Sequence, residues 1–335
     1  MSNLTFIDLF AGIGGIRLGF EQAGFTCVYS NEWNKSAGDT YRKNFGDELD
    51  DRDIRKVPAS DIPSFDVLCG GFPCQPFSSA GVSARVSSGR THGFEDKEQG
   101  VLFFEIIRIL KLHRPKAVFL ENVSNFVRHD KGNTIRLVKE EMAKLGYIID
   151  PHVLDASLLV PHRRKRTYMI AIRDDVFRFP EIKPLNRKIK EILEKNPDDK
   201  YTISDRLWQS HQDRTIRNKA KGNGFAHYVV DPDGVANTLT SRYGKDGREN
   251  LIPQTGKSPR MFTPRECARL MGFPEEFKLP ETKTPAYRQF GNSVCVPIVR
   301  ELATSLNEQL VANRDPLLEH DEPLEIAPAR IPDFA

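Results

Sequence analysis

The stretch Phe6-Ile7-Asp8-Leu9-Phe10-Ala11-Gly12-Ile13-Gly14-Gly15 decides the fold. It starts as a short apolar run typical of a buried strand and passes through glycines into a helical pattern that begins at Ile16. Glycines let a ligand approach the main chain, and the first turn of a helix presents free amide donors. We therefore predict that Gly12 and Gly14 line a cofactor pocket, although a tight strand-to-helix turn also needs glycine for steric reasons alone.

Further along the chain, from Leu4 to about Arg173, short apolar runs alternate with helical stretches. This alternation is typical of a parallel sheet with crossover helices. The expected strands are 5–10, 27–31, 65–69, 117–121, 148–154 and 167–172, and the expected helices are 16–23, 35–45, 101–111 and 134–145. The pattern predicts a doubly wound α/β domain.

After Arg173 the alternation stops, and prolines, charges and turn signals become frequent. We predict a catalytic and cofactor domain at 1–176, a smaller domain at 177–262, a hinge region at 263–288, a return to the first domain at 289–313 and an extended tail at 314–335. Thr263 followed by Pro264 predicts the start of a helix that the threonine caps. A further helix is expected at 296–310.

The composition excludes several classes of protein. Among 335 residues with a net charge of +3, no apolar run reaches the ~18 residues that a membrane span needs. The N-terminus lacks the features of a secretory signal, so we expect a cytoplasmic protein. Its five cysteines form no close CxxC pair, which argues against a disulfide framework and against a zinc site; they are Cys27, Cys69, Cys74, Cys267 and Cys295.

A nucleoside pocket is expected at the end of the second strand. Glu32 follows the glycine turn by about 20 residues, where an acidic side chain can accept hydrogen bonds from ribose hydroxyls. Phe10 is placed to lie against an adenine ring and Trp33 to face a cation, although most aromatic residues beside a sheet belong to the core. The spacing does not distinguish a dinucleotide from an adenosylated sulfonium.

A candidate nucleophile follows the third expected strand, in Gly70-Gly71-Phe72-Pro73-Cys74-Gln75. The Cys74 thiol would sit at the carboxyl end of that strand, where ligands bind in open α/β sheets. Pro73 restricts the main chain there, and the paired glycines permit a sharp turn. A cysteine is otherwise a small buried hydrophobe, and this is the preferred interpretation of the other four.

A candidate acid ends the fourth expected strand, in Glu121-Asn122-Val123. The Glu121 carboxyl would emerge at the same sheet edge as Cys74. If burial raises its pKa, it can donate a hydrogen bond to a ring nitrogen. The alternative, an ordinary helix cap made by Glu121 or Asn122, is common and is the preferred interpretation of this tripeptide alone.

Taken in order, these motifs resemble those of the DNA (cytosine-5)-methyltransferase family of restriction-modification systems. Nearly the whole chain takes part. The matching segments are 6–15, 31–33, 53–54, 71–75, 121–123, Arg164 with Arg166, 265–274 and 289–297. The resemblance implies a Rossmann-like S-adenosylmethionine-dependent domain and a target-recognition domain at 177–262. It also implies a monomer that acts on double-stranded DNA and shares its target with a restriction endonuclease without contacting it.

The resemblance also implies the roles of individual residues. The thiolate of Cys74 would attack C6 of a flipped-out cytosine, Glu121 would hydrogen-bond to N3, and Arg166 would hold the base and position Glu121; Arg164 completes the catalytic set. S-adenosylmethionine would be converted to S-adenosylhomocysteine without a metal, at Phe10, Gly12, Gly14, Glu32, Trp33, Asp53, Ile54, Pro73, Leu102 and Asn292. DNA would contact Gln75, Ser78, Arg85, Arg90, Thr240, Arg242 and Tyr243.

The sequence departs from the family pattern at two places. A polar insert at 82–92 either lengthens a DNA-contacting lid or has no effect on turnover. His162 stands where many relatives have glutamine, which leaves the usual contact of that position open. A tRNA cytosine methyltransferase and a catalytically silent DNA-binding regulator remain alternatives. The recognition sequence does not follow from these residues.

Overall fold

The computed structural model describes residues 4–46, 49–72, 99–222 and 227–312. Six of the predicted site residues lie outside these ranges, namely Pro73, Cys74, Gln75, Ser78, Arg85 and Arg90. The insert at 82–92 and the tail at 314–335 also lie outside them. Within the described ranges, no helix is long and apolar enough to cross a membrane.

The regular elements of the described residues follow the predicted order. The strands are β1 (Thr5–Leu9), β2 (Thr26–Asn31), β3 (Val67–Gly71), β4 (Ala117–Val123), β5 (Asp150–Asp155) and β6 (Lys165–Ile172). The helices are α1 (Gly15–Gln22), α2 (Lys35–Phe45), α3 (Gln99–His113), α4 (Asn133–Ala143), α5 (Asp205–Ala220), α6 (Pro264–Leu270), α7 (Lys283–Asn292) and α8 (Val296–Ala312). The strands and helices that the sequence predicts all occur, with ends that differ by a few residues.

The strands form one six-stranded sheet in the order β2-β1-β3-β4-β6-β5. β1 pairs in parallel with β2 and β3, and β3 pairs in parallel with β4. β6 is antiparallel to both β4 and β5, so the parallel arrangement expected from the alternating pattern does not extend to this strand. Only residues 156–164 connect β5 to β6. A parallel crossover needs a dozen or more residues, so the chain reverses instead.

Both faces of the sheet are covered, as the apolar character of its central strands requires. On one face, Phe6 of β1 packs with Phe20 of α1 and with Val299 of α8. On the other face, Ile7 packs with residues of α3 and α4. A Cβ atom added to Gly19 would lie 2.5 Å from the Val299 side chain, so α8 approaches α1 closely. The C-terminal helix therefore completes the N-terminal core.

A second core lies in the region that follows the sheet and is held in part by a buried ion pair. Glu266 of α6 accepts hydrogen bonds from Arg260 Nη1 at 2.7 Å and Nη2 at 2.8 Å. It also accepts from the amides of Thr263 at 2.9 Å and Glu194 at 2.8 Å. The Thr263 hydroxyl accepts in return from the Glu266 amide at 3.1 Å, so the predicted helix start at Thr263-Pro264 is confirmed.

Candidate active site

In the glycine turn after β1, Gly12 and Gly14 are required for different reasons. Phe10, Gly12 and Gly14 all have positive φ, at 59°, 58° and 83°. A Cβ atom on Gly14 would lie 2.2 Å from a ring carbon of Phe45, so this glycine is required by packing. A Cβ atom on Gly12 would meet nothing within 4 Å. Open space beside Gly12 is what a ligand pocket requires.

Glu32 is fixed at the end of β2 by main-chain amides. Its Oε2 accepts from the Gly12 amide at 2.9 Å and its Oε1 accepts from the Asn34 amide at 2.7 Å. The residue is 9% exposed, and burial raises the pKa of its carboxyl group although both amides oppose the shift. Each carboxylate oxygen has a further lone pair for a hydroxyl donor. The group is therefore oriented as an acceptor next to the glycine turn.

The segment that contains Asp53 is tied to the end of β2. The Asn31 side-chain amide donates to the carbonyls of Asp50 at 3.0 Å and Arg52 at 2.8 Å. The Asp53 carboxylate accepts from the Arg55 amide at 3.0 Å and from its guanidinium at 2.6 Å. These bonds lower the pKa of Asp53. A carboxylate so held keeps some acceptor capacity for an exocyclic amine.

The other predicted cofactor residues have varied surroundings. Trp33 is 66% exposed, directly after Glu32, whereas Ile54 is buried after Asp53. Leu102 is half-buried on α3, and Asn292 is exposed at the end of α7. The oriented carboxylate of Glu32 suits a ribose, and the open space beside Gly12 suits an edge of adenosine. The exposed indole of Trp33 suits a cationic sulfonium. The residues present thus fit an adenosylated cofactor.

Glu121 lies over the end of the strand that leads to Cys74. Gly71 of β3 is paired with Glu121 of β4, and a Cβ atom on Gly71 would lie 3.4 Å from Glu121 Oε2. Gly71 precedes Cys74 by three residues in the sequence. Glu121 is 8% exposed, and burial raises the pKa of its carboxyl group against the opposing charges of Arg166 and then Arg164. Burial thus shifts this carboxyl group toward its neutral form, while the two arginines act in the opposite direction.

Arg166 pairs with this carboxyl group. Its Nε lies 3.1 Å from Glu121 Oε1, and its Nη1 donates to the Lys165 carbonyl at 2.8 Å. The turn at Ser124–Gly132 that follows β4 has no side-chain cap at Val123, the residue that precedes it. The described contacts of Glu121 therefore give no support to the alternative of a helix cap. They match an acid whose orientation a guanidinium controls.

Arg164 is 2% exposed and its guanidinium binds main-chain carbonyls. It donates to the carbonyls of Leu239 at 3.0 Å, Gly291 at 3.0 Å and Ser293 at 2.5 Å. Burial, and then the charge of Arg166, lower its pKa to about 9. In this structure Arg164 joins three distant segments of the chain.

A family model described as C-5 cytosine-specific DNA methylase matches residues 4–308. The chain belongs to this family. The Type II methyltransferase M.NlaX of Neisseria lactamica is 46% identical over 315 residues, which cover 92% of this chain and 98% of the relative. M.HhaI of Haemophilus parahaemolyticus is 40% identical, with coverages of 92% and 96%. The family resemblance that the motifs indicate is thus confirmed.

Solved structures share the fold of this methylase. Dnmt2 of S. pombe superposes with a TM-score of 0.73 at 22% sequence identity, over 92% of this chain and 99% of that one. A putative DNA modification methyltransferase from an E. coli prophage gives a TM-score of 0.68 at 23% identity, over 92% and 100% of the two chains. Together with the six-stranded sheet, these likenesses confirm the predicted α/β methyltransferase fold.

The predicted DNA-contacting residues of the methylase divide into exposed and buried ones. Thr240 and Arg242 are exposed, and the Thr240 hydroxyl donates to Glu249 Oε1 at 2.7 Å. Tyr243 is fully buried: its hydroxyl donates to the Asn250 carbonyl and accepts from the Phe262 amide, both at 2.7 Å. Both its ring and its hydroxyl are engaged within the protein, so this structure does not present the Tyr243 side chain to DNA, and Thr240 and Arg242 are the exposed members of the predicted set.

Asn122 is a site residue whose role the sequence did not reveal. It is 2% exposed, and its side chain donates to the Phe72 carbonyl at 2.9 Å and accepts from the Val123 amide at 2.9 Å. Phe72 directly precedes Pro73 and Cys74. Asn122 thus anchors the chain just before the predicted nucleophile. The signal in the sequence that could have revealed this role is the side-chain amide of Asn122 directly after the Glu121 carboxylate.

Proposed function

We propose that this methylase transfers a methyl group from S-adenosylmethionine to C5 of a cytosine within a particular sequence of duplex DNA. The observation that carries the proposal is the buried Glu121 carboxyl group, paired with Arg166 and lying over the β3 end that leads to Cys74. The named Type II relatives support a role in protecting DNA from a restriction endonuclease that reads the same sequence.

The chemistry explains why these residue types are needed. Cytosine C5 is a weak nucleophile, so the thiolate of Cys74 first forms a bond to C6 and pushes an electron pair through the ring toward C5. A protonated Glu121 donates a hydrogen bond to N3, where negative charge develops, and Arg166 keeps its carboxyl group in place. S-adenosylmethionine supplies an electrophilic methyl group to C5. A base then removes the C5 proton, the C6–sulfur bond breaks and the thiolate leaves.

The cofactor pocket and the DNA surface follow from the same proposal. Glu32 would accept from the ribose hydroxyls of the cofactor, Phe10 would lie against its adenine and Trp33 would face its cationic sulfonium. The other residues that would hold it are Gly12, Gly14, Asp53, Ile54, Pro73, Leu102 and Asn292. The target cytosine leaves the duplex at a cost of about a few kcal/mol. Residues 177–262 read the sequence, with Thr240 and Arg242 at the DNA surface. Gln75, Ser78, Arg85 and Arg90 contact the DNA near the flipped base. The protein acts as a monomer and without a metal.

Labelled methyl transfer tests the proposal. The full chain with labelled S-adenosylmethionine should label duplex DNA and leave tRNA unlabelled. Cys74→Ala should abolish transfer and keep cofactor binding within about twofold of wild type. Cys267→Ala, at a fully buried cysteine of the second core, is the matched control and should remain active.

A mechanism-based duplex adds a second test of the same step. A 5-fluorocytosine target cannot lose a C5 proton, so it should remain covalently attached to the wild type and not to Cys74→Ala. Labelling of RNA alone would favour the tRNA methyltransferase, and an active Cys74→Ala variant would exclude the thiol mechanism.

A further inference from the structure

The main chain of one residue, Leu239, connects the recognition region to the strand that carries Arg166. The Leu239 amide donates to His162 Nε2 at 2.8 Å, and the Leu239 carbonyl accepts from Arg164 Nη1 at 3.0 Å. His162 and Leu239 are both 0% exposed. Movement of Leu239 would leave its buried amide donor or its carbonyl acceptor unpaired. The two residues that hold it lie on one short segment immediately before β6.

Three neighbouring bonds strengthen this connection. The Arg163 amide donates to the Ala236 carbonyl at 2.8 Å, and the Ala236 amide donates to the Pro161 carbonyl at 2.9 Å. The Thr238 hydroxyl donates to the Arg163 carbonyl at 2.7 Å. Residues 161–164 together with residues 236–239 are called the peptide clamp below.

The peptide clamp connects the residues proposed to read the DNA sequence with the residues proposed to catalyse methyl transfer. On one side, β6 continues from the clamp to Arg166, whose Nε lies 3.1 Å from Glu121 Oε1. On the other side, the chain continues from Leu239 to the exposed Thr240 and Arg242. The segment 240–242 is called the reading loop below. A shift at Leu239 would thus displace the reading loop relative to the catalytic carboxyl group.

Within the clamp, replacing His162 tests the attachment of Leu239 more selectively than replacing Arg164. Arg164 also binds the carbonyls of Gly291 and Ser293, so its replacement would disturb the C-terminal segment as well. A Cβ atom on Gly291 would lie 2.4 Å from the Ser241 amide nitrogen, which shows how tightly that segment packs against the reading loop. His162 acts on the reading loop through its ring, whose Nε2 accepts from the Leu239 amide.

The ring of His162 is suited to a permanent acceptor role. Because Nε2 accepts a proton donor, the proton of the neutral ring must be on Nδ1. Burial lowers the pKa of His162 well below its usual value, and the charges of Arg164 and Arg166 lower it further. The backbone of Leu270 in α6 opposes this shift. The acceptor atom therefore remains available at neutral pH.

We propose that His162 is a positioning residue for target selection. By accepting from the Leu239 amide, it fixes the reading loop relative to Glu121 and Arg166, so that a correctly read sequence delivers its cytosine to the catalytic groups. This inference rests on the proposed methylation of specific DNA and adds the residue that couples reading to chemistry.

The test compares two replacements of His162 on cognate and singly mismatched duplexes. The cognate sequence is first obtained by bisulfite sequencing of DNA exposed to the wild type. His162→Leu removes the acceptor, and an unpaired buried amide should lower kcat on the cognate duplex about tenfold. The preference for cognate over mismatched DNA should fall at the same time. His162→Gln offers an amide oxygen to Leu239 and should restore both quantities to within about threefold of wild type.

His211 supplies a matched control. It is also buried, at 2% exposure, but its ring contacts the Asp246 carbonyl from α5 and not Leu239. His211→Leu should lower the thermal midpoint and leave the ratio of cognate to mismatched turnover unchanged. A fall of that ratio as large as in His162→Leu would overturn the proposal, because it would reflect general loosening of the region.

Two further outcomes decide the matter. If His162→Gln is as defective as His162→Leu, the ring and not its acceptor matters, and the proposal fails. If His162→Leu does not fold, His162→Gln is compared with His162→Asn, whose shorter side chain withdraws the acceptor from Leu239. Equal ratios in this pair would overturn the proposal, and a selective loss in Asn supports it. A wild type that leaves all DNA unmethylated would instead refute the proposed function.

Discussion

We expect the Asp8→Asn substitution to change the free energy of unfolding more favourably at alkaline pH than at acidic pH. Asp8 lies on β1, paired in register with Ser30 of β2 and Cys69 of β3. It is 0% exposed, and neither carboxyl oxygen has a hydrogen-bond partner among the described residues. Burial raises its pKa from 3.8 to about 8, although the charge of Arg17 opposes the shift.

The sign and the size of the effect follow from proton linkage. The folded protein holds the Asp8 proton more tightly than the unfolded chain does, so the free energy of unfolding falls as pH rises from about 4 to about 8. At about 1.4 kcal/mol for each tenfold difference in proton affinity, the whole loss is about 6 kcal/mol. About 4 kcal/mol of it would occur between pH 5 and pH 9. Relaxation around the ionised group would reduce this, so we expect at least ~2 kcal/mol.

The assay is urea unfolding of the wild type and Asp8→Asn at pH 5 and pH 9. The packing cost of asparagine is the same at both values, so the change in the difference between the two proteins isolates the ionisation of Asp8. Asp39→Asn, at an exposed position of α2, is the control and should show no such change. A difference between wild type and Asp8→Asn that is constant from pH 5 to pH 9 would refute the reasoning.

Three other perturbations have defined outcomes. Glu266→Ala leaves the buried Arg260 without its partner and should lower the free energy of unfolding by ~3–5 kcal/mol in urea titrations, whereas Glu275→Ala at an exposed pair should cost about 1 kcal/mol or less. Glu32→Ala should weaken S-adenosylmethionine binding about tenfold or more by calorimetry, and unchanged affinity would exclude the ribose contact. Asn122→Ala should lower kcat about tenfold while cofactor affinity stays constant, and equal turnover would remove its anchoring role.

Local signals predicted the regular elements because strands and helices are encoded over short distances. The Thr263-Pro264 cap and the apolar run at 117–121 are examples, since both depend on neighbouring residues. The direction of β6 depends instead on the length of its connection to β5 and on its place between two other strands. Apolar periodicity does not contain that information.

The candidate site was predicted in part for the same reason. Family motifs named Glu121 and Arg166, and the structure places their side chains 3.1 Å apart. The surroundings of Tyr243 depend on distant partners, since its ring packs against Phe262 and Tyr287 at centroid distances of 6.3 Å and 5.1 Å. The three carbonyls bound by Arg164 are likewise remote in sequence. Such long-range packing decides whether a loop residue faces solvent.

The way in which the reading loop is attached has a consequence for how specificity can change. His162 accepts from the Leu239 amide and Arg164 donates to the Leu239 carbonyl. Every amino acid except proline provides both of these main-chain groups. Side chains beyond that junction can therefore be exchanged without removing the attachment. A foreign loop grafted after Leu239 would be held by the same two hydrogen bonds to the main chain. New DNA specificities can therefore evolve or be engineered while the catalytic residues stay unchanged.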